Sequence, residues 1–492
     1  MFKNNVILAL LLQVSAPAIN AAAQPNIVFI LADDLGYGEL GCYGQEKIKT
    51  PNIDQLAAEG MKFNYHYSGA PVCGPARCVL LTGKNLAHAE VRDNGEIKTK
   101  PKGKKKFFGG QTPLTPAAVT IAEVLKGQGY ATGGFGKWGL GATWSTGSPI
   151  KQGFDRFYGY NCQRNAHSFY PAYLDSDEEQ VTINKHPIPG RKHQPKGEVL
   201  ADTYRAENYA PDLILDEAVK FIDANKAKPF FLYLPFVEPH VAMQPHQEDI
   251  DKYPTSWDTK AYRGQHGYLP HPRPRAGYAA MITDLDQHVG TIVAKLKAEG
   301  IYDNTLVIFT SDNGATTNAG GVDTQFFRSV KDLRGRKGSA YEGGLRVPLI
   351  VRWKGHIKAG TTSDTLSYFP DWFPTLTAIA GGDVLKAPKD GINLVPAFSG
   401  KPVAIRDEPM FWEFHGYGGI IAVRDGKWKA IRRGIKSQKT KNWELYNIEA
   451  DPQEKYDLAK QNPERVQLLE KSWLSSRSVN KNFPLPLADR KN

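Results

Sequence analysis

Buried strands spread along most of the chain constrain its fold more than any other feature. Asn26–Ala32 and Phe230–Phe236 are continuous apolar runs, typical of strands covered on both faces of a parallel sheet. Three further strands are predicted at Tyr130–Gly136, Thr305–Thr310 and Val347–Trp353. Between them, the sequence predicts helices at Thr115–Gly127, Ala210–Lys226 and Gly277–Gly300. This alternation predicts an α/β fold with a large central sheet flanked by helices.

The pattern changes beyond about residue 400. Four short strands follow one another without long helices, at Met410–Phe414, Ile420–Arg424, Trp428–Arg432 and Trp443–Asn447. Such a succession predicts an antiparallel sheet, and a helix at Pro463–Ser475 could cover it. We therefore expect an α/β domain over residues 24–400 and a smaller α+β subdomain over residues 401–492.

The N-terminus predicts export. Lys3, the apolar run Val6–Leu12 and small residues up to Ala23 resemble a secretory signal over residues 1–23, too short to span a bilayer. The expected location is periplasmic or secreted. Export permits disulfides among the four cysteines. The formal charge of +11 would attract polyanions, but no nucleic-acid-binding motif is present and we expect no nucleic-acid partner.

Two carboxylates, Asp33 and Asp34, directly follow the first apolar strand. In α/β sheets, ligands bind at this end of the strands. Adjacent buried carboxylates are costly unless a positive charge lies between them, so the pair predicts a divalent cation held by oxygen ligands. The alternative is a capping aspartate beside a solvated neighbour.

The segment Cys73–Gly83 combines a cysteine, a proline and an arginine at close spacing. Pro75 can begin a helix, which places Cys73 where free N–H groups favour negative charge. Arg77 lies about one turn further on and can face the same point. The arrangement suits a nucleophile held beside an anionic substrate. The alternative is that Cys73 is only a small buried apolar residue.

This segment resembles the signature of the type I sulfatases, Cys-x-Pro-Ser/Ala-Arg followed by Leu-Leu-Thr-Gly. Tyr341–Pro348 resembles the second signature of that family, and Gly136–Gly141 resembles its Gly-Lys-Trp-His-Leu-Gly segment. The resemblance implies an alkaline phosphatase-like fold with a large mixed sheet. It also implies that a maturation enzyme oxidises Cys73 to formylglycine, whose hydrate attacks sulfur and later expels sulfate. Three thiols would then remain, allowing at most one intramolecular disulfide.

The resemblance further implies roles for individual residues. One divalent metal, Ca²⁺ or alternatively Mg²⁺, is expected at a site comprising Asp33, Asp34, Asp312, Asn313 and residue 73. Asp312 and Asn313 lie in an Asp-Asn-Gly sequence that is by itself an ordinary turn signal. Arg77 is expected to hold the hydrated aldehyde. Lys137, His240 and Lys337 are expected to neutralise charge on the sulfate, with His240 or Lys337 protonating the leaving group.

One position departs from the family pattern. The family commonly has a histidine two residues after the lysine of the Gly-Lys-Trp segment, but this chain has Gly139 there. The usual candidate base for the hydrated aldehyde is therefore absent. His167 is our candidate replacement, and a histidine in a polar surface loop is the alternative.

Long polar segments, including Asp175–Tyr209, suggest a substrate-binding mouth. Arg164, His167 and Arg273, with Tyr170 and Tyr173, predict a sulfated carbohydrate substrate, because aromatic faces and arginines suit anionic sugars. Resemblance to bacterial polysaccharide sulfatases favours a carrageenan-type galactan. Two alternatives remain open: a phosphate or phosphonate ester hydrolase of the same superfamily, and a non-catalytic binder of sulfated glycans.

Overall fold

A ten-stranded mixed sheet forms the centre of the structure. The computed structural model describes residues 24–96, 110–436 and 442–489, and the predicted export signal at residues 1–23 lies outside them. The strands of all sheets in the described residues are β1 (Asn26–Ala32), β2 (Met61–Phe63), β3 (His66–Tyr67), β4 (Ala131–Lys137), β5 (Arg156–Tyr160), β6 (Tyr173–Ser176), β7 (Glu179–Thr182), β8 (Phe230–Pro235), β9 (Thr305–Ser311), β10 (Leu349–Arg352), β11 (Thr361–Ser363), β12 (Ser367–Tyr368), β13 (Met410–Phe414), β14 (Ile420–Asp425), β15 (Trp428–Arg433) and β16 (Glu444–Asn447).

The helices of the described residues lie mainly against the faces of these sheets. They are α1 (Pro51–Ala58), α2 (Cys73–Thr82), α3 (Ile121–Gly127), α4 (Ala210–Asn225), α5 (Gln247–Asp251), α6 (Pro274–Ala298), α7 (Glu342–Leu345), α8 (Trp372–Ile379), α9 (Val395–Phe398), α10 (Pro463–Ser476) and α11 (Pro486–Asp489).

The central sheet has the order β11-β2-β10-β9-β1-β8-β4-β5-β6-β7. Its core, β9-β1-β8-β4-β5, is parallel, whereas β10 and the β6–β7 hairpin run antiparallel to their neighbours. The prediction of an α/β fold with a large mixed sheet is confirmed. The parallel core brings the carboxyl ends of β1, β4, β8 and β9 to one edge.

Strand β1 shows why the sheet is apolar throughout. All seven of its residues are buried. Because successive side chains point to opposite faces, Phe29 packs in one core with α2 and α8, while Ile30 packs in the other with α4 and α6.

Two sequence predictions require correction. The helix predicted over Thr115–Gly127 begins only at Ile121, because Thr120 accepts a hydrogen bond from the Glu123 N–H and Glu123 accepts one from the Thr120 N–H. The segment Asp175–Tyr209, predicted to be irregular, overlaps β6 and contains β7. The four cysteines lie within the described residues, and all four are free thiols.

A four-stranded antiparallel sheet of order β13-β14-β15-β16 follows, as predicted. One face, which includes Trp412, packs into the same core as β1, and the other face packs against Leu469 and Trp473 of α10. A buried ion network also joins this sheet to α7 and to the segment after β16. Lys429 of β15 lies 2.9 Å from the Glu342 carboxylate and 3.0 Å from that of Glu454.

We expect Lys429→Met to lower the free energy of unfolding by about 3–5 kcal/mol, because it leaves buried carboxylates without their cation. The substitution keeps most of the side-chain volume, so lost packing contributes little. Urea unfolding measures the change. Lys427→Met, at an exposed position of the same hairpin, is the control and should leave the midpoint nearly unchanged. Equal midpoints for the two variants would contradict the prediction.

Candidate active site

Acidic and basic side chains meet at the carboxyl edge of the parallel strands. Asp33 and Asp34 follow β1, Asp312 and Asn313 follow β9, and Lys137 is the last residue of β4. His240 follows β8 by a few residues. All six are buried, the most exposed reaching 2%. The fold therefore supplies a polar site where α/β sheets commonly bind ligands.

Cys73 lies at the first turn of α2, beside this edge. Lys137 Nζ lies 3.5 Å and Lys337 Nζ 3.6 Å from the Cys73 sulfur. The Lys337 loop is held by backbone hydrogen bonds: the Lys337 N–H donates to the Ala315 carbonyl and the Gly338 N–H to the Pro71 carbonyl. Two ammonium groups and a helix N-terminus thus surround residue 73, which suits an anion at that position.

Arg77, one turn into α2, crosses the site and joins its parts. Its Nε and Nη2 donate to Asp312 Oδ2 at 3.0 and 2.8 Å, and Nη2 lies 3.4 Å from Asp33. Its Nη1 donates to the Lys137 carbonyl. The guanidinium is fully buried. Arg77 therefore fixes residues following β1 and β9 relative to the end of β4.

Two oxygen atoms of the acidic edge, Asp33 Oδ1 and Asn313 Oδ1, are buried without a hydrogen-bond partner among the described residues. An unpaired buried acceptor costs about 1–3 kcal/mol. Donor atoms of Asp33, Asp34, Cys73 and His240 also lie within 4.8 Å of one another. Free oxygens beside this cluster fit a hard divalent cation, which prefers carboxylate and amide oxygen.

The pKa values of the buried carboxyl groups shift in opposite directions. Burial opposes ionisation of Asp33, but Lys137, His240 and Arg77 hold its pKa well below the usual value. Burial and the nearby Asp33 raise the pKa of Asp312 to about 7. Burial raises the pKa of the Cys73 thiol to about 12, with Asp33 adding to the effect. The unmodified thiol is therefore protonated, and the site does not favour a thiolate.

Histidines and a tyrosine form the wall beside Asp34. His240 Nδ1 donates to the Val241 carbonyl, which leaves Nε2 facing Asp34 Oδ2 at 3.7 Å. The His167 ring stacks on His240 with centroids 5.3 Å apart, and Tyr268 contacts both rings edge-on. Burial and His240 lower the pKa of His167 to about 2, so it is neutral. No sequence motif could have identified Tyr268.

Gln163 occupies the space beside Gly139. Gly139 has φ +83°, and a Cβ there would overlap the Gln163 side chain. A Cβ on Gly74 would lie 3.1 Å from the same amide nitrogen, Nε2. Gln163 is 5% exposed, and Nε2 has no hydrogen-bond partner among the described residues. A buried amide donor therefore lies next to the start of α2, a feature that sequence reasoning missed.

A cavity of about 630 Å³ adjoins the site, lined in part by Gln163, Arg164, His167 and Arg191. Arg164 is largely exposed and forms an ion pair with Glu96 at 2.6 Å, and Arg191 lies over the Tyr268 ring. Tyr170 is buried in the core beneath.

Arg273, predicted to bind substrate, is placed elsewhere. It precedes α6, and its guanidinium donates to the Tyr253 carbonyl and pairs with Asp251 at 3.6 Å. These contacts hold the α5–α6 connection together, so we omit Arg273 from the site proposed below.

Comparison with known proteins agrees with the geometry. The family described as Sulfatase matches residues 25–382. The chain belongs to the sulfatase family. A second family, N-sulphoglucosamine sulphohydrolase, C-terminal, matches residues 336–477 of this sulfatase. The chain is accordingly a sulfuric ester hydrolase, and the predicted family membership is confirmed.

Individual relatives support the same assignment. Arylsulfatase A of Homo sapiens is 35% identical over 85% of this chain and 77% of its own length. Steryl-sulfatase of Mus musculus is 31% identical over 85% of this chain and 72% of its own length. The solved structure of Ps i-CgsB in complex with k-i-k-neocarrahexaose is 29% identical, with a TM-score of 0.73, and covers 95% of this chain and 96% of that chain. Among the described residues, no helix is long and apolar enough to cross a membrane.

We expect Asn313→Ala to weaken Ca²⁺ binding at least about tenfold, because it removes a free amide oxygen from the acidic edge. Isothermal titration with Ca²⁺ after chelator treatment measures the affinity. Asn304→Ala, just before the opposite end of β9, is the control and should bind as the parent does. Unchanged affinity in Asn313→Ala would remove that residue from the site.

The fit of Gln163 against Gly139 can be tested by a pair of substitutions. We expect Gly139→His to lower Tm, since the new side chain overlaps Gln163 and strains a residue with positive φ. Adding Gln163→Ala should recover the part of the loss caused by the overlap. Thermal unfolding of the parent, both single variants and the double variant gives the coupling. Additive effects would show that the two positions do not share this space.

Proposed function

We propose that this sulfatase hydrolyses O-sulfate esters of a sulfated polysaccharide or oligosaccharide, using a formylglycine at position 73 and one divalent metal. The observation that carries the proposal is the position of residue 73. It lies at the first turn of α2 between Lys137 and Lys337, and beside the buried acidic edge. The two ammonium groups and the helix N-terminus favour an anion next to a nucleophile, and the acidic edge favours a cation beside it.

Asp33, Asp34, Asp312 and Asn313 would hold the metal, with residue 73 completing the site. Ca²⁺ is our first choice and Mg²⁺ the alternative, since all four residues offer oxygen. When bound, the metal supplies positive charge that orients the sulfate and lowers the energy of an attacking oxygen. The free oxygens of Asp33 and Asn313 support this assignment.

Conversion of Cys73 to formylglycine suits the environment of its side chain. With its pKa raised to about 12 by burial, the thiol is a poor nucleophile as encoded. The hydrated aldehyde supplies one hydroxyl for attack on sulfur and a second whose deprotonation allows sulfate to leave. The proposal therefore requires a formylglycine-generating enzyme as a partner, and it includes export through the signal at residues 1–23.

The surrounding side chains have distinct roles in the proposal. Arg77 fixes the positions of the acidic residues and of the end of β4 around residue 73. Lys137 and Lys337 stabilise the charge that develops on the sulfate oxygens. Gln163 directs a neutral N–H donor toward the start of α2 and orients residue 73, in the space left by Gly139. An amide cannot accept the proton. His167 stays our candidate base because of its position, although its pKa of about 2 makes it a weak one.

The cavity beside His167 supports a carbohydrate substrate. Arg164 and Arg191 can pair with sulfate or carboxylate groups on neighbouring sugars, and Tyr268 offers an aromatic face. A carrageenan-type galactan is favoured, because the similar Ps i-CgsB structure holds k-i-k-neocarrahexaose. The 401–492 subdomain would complete the wall of the site, since Tyr417 lies over Gly338, next to Lys337.

The test is sulfate release from a panel of sulfated oligosaccharides, carrageenan fragments included, with protein matured by a formylglycine-generating enzyme. Mass spectrometry of the peptide containing residue 73 reports the conversion. We expect Cys73→Ala to abolish turnover, and His240→Gln or Lys337→Met to lower kcat by about 10²–10⁴-fold if that residue is the proton donor. Arg328→Ala, at an exposed site, is the control.

The alternatives predict different results. Faster turnover of phosphate or phosphonate esters would favour the related hydrolase activity. Glycan binding without turnover, in protein shown to carry the aldehyde, would favour a non-catalytic binder. Substrates with weakly basic leaving groups need no protonation, so only the variant lacking the true proton donor should recover its rate on nitrophenyl sulfate. Activity on aryl sulfates alone would exclude the carbohydrate assignment.

A further inference from the structure

A second cluster of histidines and carboxylates lies behind His240. Asp212 comes from the first turn of α4, Asp284 and His288 from α6, and His246 from the residue before α5. None of the four has a role in the proposed reaction. Three separate elements therefore bring nitrogen and oxygen donors to one point.

Neighbouring donor atoms in this cluster are about as close as ligands of one zinc ion, and His288 also groups with Asp284 and Glu238 within 4.8 Å. His288 Nε2 lies 3.5 Å from Asp212 Oδ1 and 3.5 Å from Asp284 Oδ1, while His246 Nε2 lies 3.1 Å from Asp212 Oδ2. Donor atoms of Asp212, His246 and Asp284 lie within 4.8 Å of one another. Two donors bound tetrahedrally to Zn²⁺, with bonds of about 2.0–2.1 Å, are roughly 3.3 Å apart.

We propose that Asp212, His246, Asp284 and His288 form a structural Zn²⁺ site. Two imidazole nitrogens and two carboxylates are a donor set that suits zinc better than the oxygen-preferring Ca²⁺ or Mg²⁺. The site is closed by protein ligands and serves stability, and it is independent of the chemistry proposed for residue 73.

Neighbouring side chains are placed to support zinc ligands. Zinc-bound histidines commonly donate their second ring N–H to a carboxylate, which fixes the ring. His288 Nδ1 lies 3.0 Å from Glu238 Oε1, close enough for such a pair, although neither buried atom has a well-directed hydrogen bond to any described residue, the other atom of this pair included. The Tyr209 hydroxyl donates to Asp284 Oδ2 at 2.8 Å, which orients that carboxylate.

The charge of the cluster also favours a cation. Among the described residues, Asp212 and Asp284 form ion pairs only with His246 and His288, and no lysine or arginine reaches them. A bound dication would compensate the two carboxylates while both imidazoles stay neutral.

His88, in a different part of the fold, has no ring nitrogen available for a metal and serves as a comparison. His88 Nδ1 pairs with Asp390 at 2.8 Å, and its Nε2 approaches the Ser476 carbonyl at 2.7 Å. Both ring nitrogens are thereby engaged, and a carbonyl requires the N–H form at Nε2. No lone pair is left for a metal there, so His88 provides a matched control.

The position of the site indicates its consequence. Its ligands connect α4 and α6 to the segment after β8, which carries His240. The main-chain carbonyl of Glu238 accepts a hydrogen bond from the Asp33 N–H. Bound zinc would therefore hold the outer helices against the part of the chain that positions the active site.

The experiment is a Zn²⁺ titration of full-length protein without a histidine tag, stripped by chelator and held in excess Ca²⁺. We expect one saturable zinc site, visible absorption typical of tetrahedral coordination when Co²⁺ replaces zinc, and a rise in Tm of roughly 2 °C or more. His246→Ala and Asp212→Asn should each weaken zinc binding by at least about tenfold. His88→Ala should leave it unchanged.

Both ligand variants concern partly exposed side chains, so they remain informative if the buried His288→Gln variant fails to fold. To separate this site from the active-site metal, the titration is repeated with Asp34→Asn, in which the zinc stoichiometry should stay the same. Failure of Zn²⁺ to bind, or zinc binding that survives both His246→Ala and Asp212→Asn, would overturn the proposal. In that case the cluster is an ion-paired imidazolium network without a metal.

Discussion

Charge compensation among buried side chains is the interaction on which the rest of this structure depends. Asp33, Asp34 and Asp312 are fully buried at the ends of two adjacent strands. Ion pairs between carboxylates and buried cations only offset desolvation when the geometry is fixed and the remaining polar atoms are satisfied. Lys137, Lys337 and Arg77 supply three cations, and the oxygens that stay unpaired point to one further positive charge. This balance of charges is the basis for proposing that a cation and an anion bind here together.

The fold makes this concentration of charge possible because parallel strands end at one edge. The hydrogen-bond register of β1 with β9 sets Ala32 beside Ser311. The residues that follow, Asp33–Asp34 and Asp312–Asn313, therefore lie side by side. Asp34 then adopts φ +69°, an unusual conformation for a residue with a side chain. Its N–H donates to Asp312 Oδ1 at 3.2 Å, which ties the two strand ends together. Strain at this position is of the kind that surrounding structure must hold in place.

The sequence was sufficient for features set by local chemistry. Apolar runs predicted β1 and β8. Short contiguous motifs singled out Cys73, Arg77, Asp33–Asp34 and Asp312–Asn313, which the fold brings to one edge of the sheet, while their roles stay predictions. It failed where distant segments decide the outcome. Arg273 lies in a segment of suitable composition, but its neighbours Tyr253 and Asp251 engage its guanidinium. The sequence pattern does not show these contacts, because the acceptor groups come close to Arg273 only in the tertiary fold.

Gly139 and Gln163 illustrate the same limit from the opposite direction. The sequence showed that a side chain is missing at position 139, yet the structure fills that volume from a residue 24 positions later. A side chain absent at one position can therefore be replaced in space by a side chain from a distant position of the sequence. Since an amide can donate but cannot take up a proton at neutral pH, the exchange preserves packing and orientation while changing the available chemistry. The proton acceptor must then be another group; His167, stacked on His240, stays our proposed acceptor, and its lowered pKa makes it a weak one.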